Sequence, residues 1–179
     1  MRFVKIKKCI PNLLTVLRII VSPIAIYIGI KGYYKILAMM CAVVAFTDFL
    51  DGKLARKWDV CSEFGAKLDT IADKILAGGL LIILILKNNV YLYLLIFEIL
   101  ITIINLITYL KLHVVESLLI GKIKTWVLFV TIVLGLVNVF FPTIHIIMNI
   151  GIILTIIFQI LSFFFYIRNY FLFTKKKRI

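Results

Sequence analysis

Two stretches of this chain constrain its fold more than any others, ILAGGLLIILIL at residues 75–86 and YLYLLIFEILITIINLITYL at 91–110. A helix needs about 20 apolar residues to cross a hydrocarbon core. The second run has that length with Glu98 as its single charge. Inside a bilayer the backbone must satisfy its own hydrogen bonds, which leaves helices or closed barrels. Proline occurs only three times in the 179 residues, and the apolar runs are continuous rather than alternating, so helices are expected instead of barrel strands. With 64% hydrophobic residues, the chain lies outside the range of soluble globular proteins. The reading is an all-α, polytopic membrane protein forming a single domain over residues 1–179.

Six transmembrane helices are predicted near 12–30, 34–56, 65–86, 90–111, 122–140 and 144–168. A short basic amphipathic segment, MRFVKIKK, precedes them and suits an anionic membrane face. Pro142 marks the turn between the last two spans. With both termini inside, the outer loops hold only Lys31, Lys35 and Lys87 of the 21 basic residues, as the positive-inside rule requires. The net charge of +13 is therefore topological and meets membrane lipids, not nucleic acid. No cleavable signal peptide is visible, and a bacterial cell membrane is the expected location. Cys9, Cys41 and Cys61 lack metal-ligand spacing and read as free thiols.

All five aspartates fall within residues 47–74, TDFLDGKLARKWDVCSEFGAKLDTIADK. Asp48 and Asp51 are three apart and Asp69 and Asp73 four apart, so each pair shares a helical face. Both pairs lie roughly 5–12 Å in from the intervening loop at 1.5 Å per residue. Four facing carboxylates call for cations between them, and Mg²⁺ or Mn²⁺ takes such hard oxygen ligands. Two ions a few ångströms apart would clamp a phosphoryl centre. Gly52 and Ala55 leave room for a ligand against the backbone, and Arg56 offers a planar fork for phosphate. Acids inside spans point to function by default.

The pattern Asp48-x2-Asp51-Gly52-x2-Ala55-Arg56-x8-Gly65-x3-Asp69-x3-Asp73 resembles the signature of the CDP-alcohol phosphotransferases at all eight fixed positions. PNLLTVLR at 11–18 is similar to the Asn-x-x-Thr-x-x-Arg opening of these enzymes. LDTIADK at 68–74 and GKIKT at 121–125 resemble the phosphatidylglycerophosphate synthase branch, with Thr70 where proline is usual. The resemblance implies six transmembrane helices, a homodimer and a cavity open to the cytoplasm. It also implies transfer of the phosphatidyl group of CDP-diacylglycerol to an alcohol, with release of CMP. On this resemblance Asp48, Asp51, Asp69 and Asp73 hold the metals, and Asp73 is also the general base. Gly52, Ala55, Arg56, Ser62 and Gly65 serve the CDP-lipid, with Asn12 and Thr15 near the nucleotide.

The acceptor implied first is glycerol 3-phosphate, with Lys74, Lys122 and Lys124 as cations for its phosphate. One departure weighs against it: Phe97 precedes Glu98 where that branch usually carries arginine. Phosphatidylglycerol, as in cardiolipin synthases, or another polyol is the alternative acceptor. Glu98 either orients the site or pairs with a lysine. A divalent-cation transporter is the rival class, but the outer halves of the second and third spans, 36–44 and 76–86, contain no acid. Asn105, Asn138, Asn149 and Gln159 are expected to bond between helices. The run FFFY at 163–166 reads as an interfacial aromatic belt.

Overall fold

A computed structural model describes residues 18–44, 63–112 and 119–176, and no strand occurs among them. The helices are α1 (Arg18–Ile30) and α2 (Tyr34–Val44), then α3 (Glu63–Ile85), α4 (Val90–Leu112), α5 (Leu119–Asn138) and α6 (His145–Lys176). Among the described residues, three stretches are long and apolar enough to cross a membrane: Val90–Lys111, Leu119–Asn138 and Pro142–Thr174. Helix α3 has 23 residues, but Glu63, Lys67, Asp69, Asp73 and Lys74 crowd its N-terminal half. Helices α1 and α2 are apolar and shorter as described. Helix α6 continues eight residues past the end predicted at 168, because YFLFTK carries no glycine or proline to stop it.

The side-chain distribution is that of a protein solvated by acyl chains. Ile24, Met39, Leu106, Ile123, Ile150 and Phe164 stand exposed, while Arg18, Ser22, Lys124, Thr131, Thr155, Gln159 and Ser162 are buried. In lipid, apolar side chains lose nothing by facing outward, and polar ones must find partners inside.

The chain forms two compact units, Met1–Ile83 and Leu84–Ile179. In the first, α1 buries the face carrying Arg18, Ser22, Ala25 and Gly29, a helical spacing of four, three and four. Two glycines let helices approach closely. The space a Cβ would take on Gly29 is filled by Ile83 of α3 and Leu37 of α2, and on Gly79 by Ile26 of α1. Contacts thus advance together along α1 and α3, which run in the same direction with α2 as the return. The α1–α2 turn closes where Tyr33 N donates to Ile28 O at 3.2 Å and Gly32 N to Gly29 O at 3.0 Å. Gly32 has φ +84° there, a left-handed conformation that glycine adopts without Cβ strain. Gly79→Val is expected to cost about 1–3 kcal/mol by overpacking, read as a lower thermal midpoint in detergent. An unchanged midpoint would mean that Ile26 swings aside.

In the second unit, α5 runs antiparallel to α4 and α6. Thr131 and Thr155 share a hydrogen bond at 2.8 Å between α5 and α6, beside Gly151, whose Cβ position lies 3.0 Å from the Thr131 hydroxyl. The Gln159 amide donates to Leu94 O at 3.0 Å, joining α6 to α4. At the α3–α4 connection, the Asn88 side chain accepts from Val90 N at 3.0 Å and so caps the start of α4. Pro142 opens the 3-10 turn before α6, as its missing N–H and fixed φ favour.

Candidate active site

Helix α3 positions the second half of the aspartate motif. Residues 69 and 73 lie one turn apart on it and share a face by register. Asp73 is the motif acid whose surroundings are defined. Its Oδ1 accepts a hydrogen bond from Arg18 Nη1 at 2.7 Å. The partners differ sharply in access: the Arg18 side chain is 4% exposed and that of Asp73 is 44% exposed. On α1, the Ser22 hydroxyl donates to the Arg18 carbonyl at 2.8 Å. The half-open carboxylate of Asp73 is a hard oxygen donor of the kind Mg²⁺ and Mn²⁺ take.

Asn12, Thr15, Asp48, Asp51, Gly52, Ala55, Arg56 and Ser62 lie outside the described residues. Gly65 and Asp69 lie in α3, and Lys74 follows Asp73 as a half-buried residue. Arg18 was given no role of its own, although it is the arginine of the Asn-x-x-Thr-x-x-Arg opening that PNLLTVLR resembles. That spacing, and the stripe of small residues that follows it on α1, were the available signals.

The second unit holds a separate polar cluster. Lys124 is 3% exposed, and its Nζ lies 2.5 Å from Glu98 Oε2. Of the two roles open for Glu98, pairing with a lysine is therefore observed. Residues 122 and 124 stand about 200° apart around a helix at 100° per residue. Lys122 is exposed while Lys124 is buried, so the fold does not bring these two candidate acceptor cations together. Phe97 packs edge-on against Phe163, with ring centroids 6.5 Å apart.

Tyr166 corrects the aromatic-belt reading in part. Phe164 and Phe165 are exposed, but the Tyr166 hydroxyl fills the space a Cβ would occupy on Gly121. Gln159, Ser162 and Tyr166 share a face of α6 at spacings of three and four, a signal present in the sequence. The expected interhelical bond of Gln159 forms, whereas Asn138 Oδ1 is buried with no partner among the described residues.

The sequence model of the CDP-alcohol phosphatidyltransferase family matches residues 8–161. A CDP-diacylglycerol–glycerol-3-phosphate 3-phosphatidyltransferase of Rickettsia felis is 42% identical over 89 residues, 48% of this chain and 49% of that protein. The Pseudomonas fluorescens protein of the same name is 40% identical over 83 residues, 45% of this chain and 43% of that protein. A probable cardiolipin synthase (CMP-forming) of Drosophila melanogaster is 42% identical over 74 residues, 41% of this chain and 23% of that protein. The chain spans about half the length of the bacterial relatives it matches.

Proposed function

The chain belongs to the CDP-alcohol phosphatidyltransferase family, and from that premise we propose that it transfers the phosphatidyl group of CDP-diacylglycerol to glycerol 3-phosphate. The observation carrying this reading is the family match itself, whose span of 8–161 contains all eight fixed positions of the aspartate motif. The names of the Rickettsia and Pseudomonas relatives support the choice of acceptor.

In this reaction the acceptor hydroxyl oxygen attacks the phosphatidyl phosphorus. A new O–P bond forms as the bond to the CMP oxygen breaks, and CMP leaves. Asp73 takes the hydroxyl proton, a role suited to a half-open carboxylate within reach of substrate. Asp48, Asp51 and Asp69 with Asp73 would hold two divalent ions, which when bound neutralise charge on the diphosphate oxygens. Arg56 grips a phosphate, and Gly52 and Ala55 give the nucleotide access to the backbone, with Asn12, Thr15, Ser62 and Gly65 completing the CDP site. The remaining acceleration comes from positioning the two reactants. Six spans, cytoplasmic termini and a homodimer complete the proposal.

A second reading has phosphatidylglycerol as acceptor. It is favoured by Phe97 packing against Phe163 where arginine is usual, by burial of Lys124 against Glu98, and by the cardiolipin synthase among the relatives. The test supplies purified protein with CDP-diacylglycerol, Mg²⁺ or Mn²⁺ and a panel of acceptors, and follows CMP and the lipid product. Turnover is expected with glycerol 3-phosphate and is abolished by EDTA. Product formed only with phosphatidylglycerol would move the chain to the second reading, and no CMP with any alcohol would reject both.

A further inference from the structure

We infer that Arg18 is the positioning residue of the reaction, acting through Asp73. The assignment rests on the proposed reading of Asp73 as general base. Its geometric basis is the 2.7 Å bond from Arg18 Nη1 to Asp73 Oδ1 and the unequal access of its two partners, 4% against 44%. A sealed guanidinium does not itself meet a substrate. Its influence on a ligand passes through the groups it holds, and the open carboxylate of Asp73 is one of them.

An arginine serving only to mark the inner face would lie exposed and snorkel toward headgroups. Arg18 instead begins the buried stripe of α1, one turn before Ser22, whose hydroxyl caps its carbonyl at 2.8 Å. The same stripe continues to Gly29, seated against Ile83 of α3, while Gly79 of α3 is seated against Ile26. These close approaches fix α1 against α3 along their length, so the bond at one end is held in register by packing at the other. The result restricts where the carboxylate can stand, and a misplacement of about 1 Å at a reacting group can cost about 100-fold in rate.

The experiment compares wild type, Arg18→Met and Arg18→Lys in full-length protein reconstituted with CDP-diacylglycerol, Mg²⁺ and glycerol 3-phosphate or phosphatidylglycerol. Arg18→Met is expected to lower kcat about 100-fold while leaving KM for CDP-diacylglycerol within about threefold, since a carboxylate displaced by this distance affects attack more than lipid binding. Arg18→Lys retains a donor for Oδ1 and is expected to recover activity to within about tenfold of wild type. In parallel, thermal midpoints in detergent are measured for Arg18→Met, Asp73→Asn and the double variant. Non-additive shifts are expected, because the two residues act as one pair. Arg18→Met with unchanged kcat, or equal losses in Met and Lys variants with additive midpoints, would overturn the assignment. An active wild type with an indifferent Arg18→Met variant rejects this inference alone; a wild type that releases no CMP with any alcohol rejects the proposed reaction and the role of Arg18 with it.

Discussion

Asp73→Asn is expected to lower kcat for CMP release by about 10³-fold, within the range that a positioned general base contributes. The amide preserves the size of the side chain and an oxygen to accept from Arg18 Nη1, which lies 2.7 Å from Oδ1 in the wild type. It cannot take a proton from the acceptor hydroxyl, and it is a weaker metal donor than a carboxylate. Folding and loss of chemistry should therefore separate. The thermal midpoint falls modestly, because Asn keeps an acceptor for the buried Arg18 but not its counter-charge, and the acid is half open to its surroundings, while turnover falls far more. Measuring both on one preparation, with Mg²⁺ varied, checks the expectation. Full turnover in the variant would remove Asp73 from the role of base.

Lys124→Met should produce the largest loss of stability. It takes the ammonium away from Glu98, whose Oε2 lies 2.5 Å from Lys124 Nζ with both side chains largely buried. Breaking a buried pair by removing one partner costs about 3–5 kcal/mol, whereas replacing both partners is often close to neutral. The Glu98→Gln/Lys124→Met double variant should thus recover most of the loss, read as thermal midpoints in detergent. Its activity carries separate information. Recovered stability without turnover would place the lysine in the acceptor's service, and recovered turnover would leave the pair as a pin between α4 and α5.

Much of the helical layout was legible because the apolar runs and their breaks are local. Pro142 opens the 3-10 turn before α6, and Gly32 adopts the positive φ that closes the first turn. The predicted starts at 34 and 90 match α2 and α4. The end of α6 was missed because the tail after Arg168 is as compatible with helix as with loop, and nothing local stops it. Among site residues, the shared register of 69 and 73 followed from spacing. The Arg18 contact did not, although arginine sat on a face with Ser22, Ala25 and Gly29, since a face does not name what it meets.

The same division holds for the whole protein. Composition and spacing alone determined that the chain is helical and membrane-embedded, and that its acids form a family motif, because hydropathy and helical periodicity act over a few turns. Which buried charges meet was decided only in three dimensions. Arg18 finds Asp73 across 55 positions of chain, and Lys124 finds Glu98 across 26. Those pairings depend on how closely helices approach, and at Gly29, Gly79 and Gly121 a missing side chain sets that distance against a partner far away in sequence.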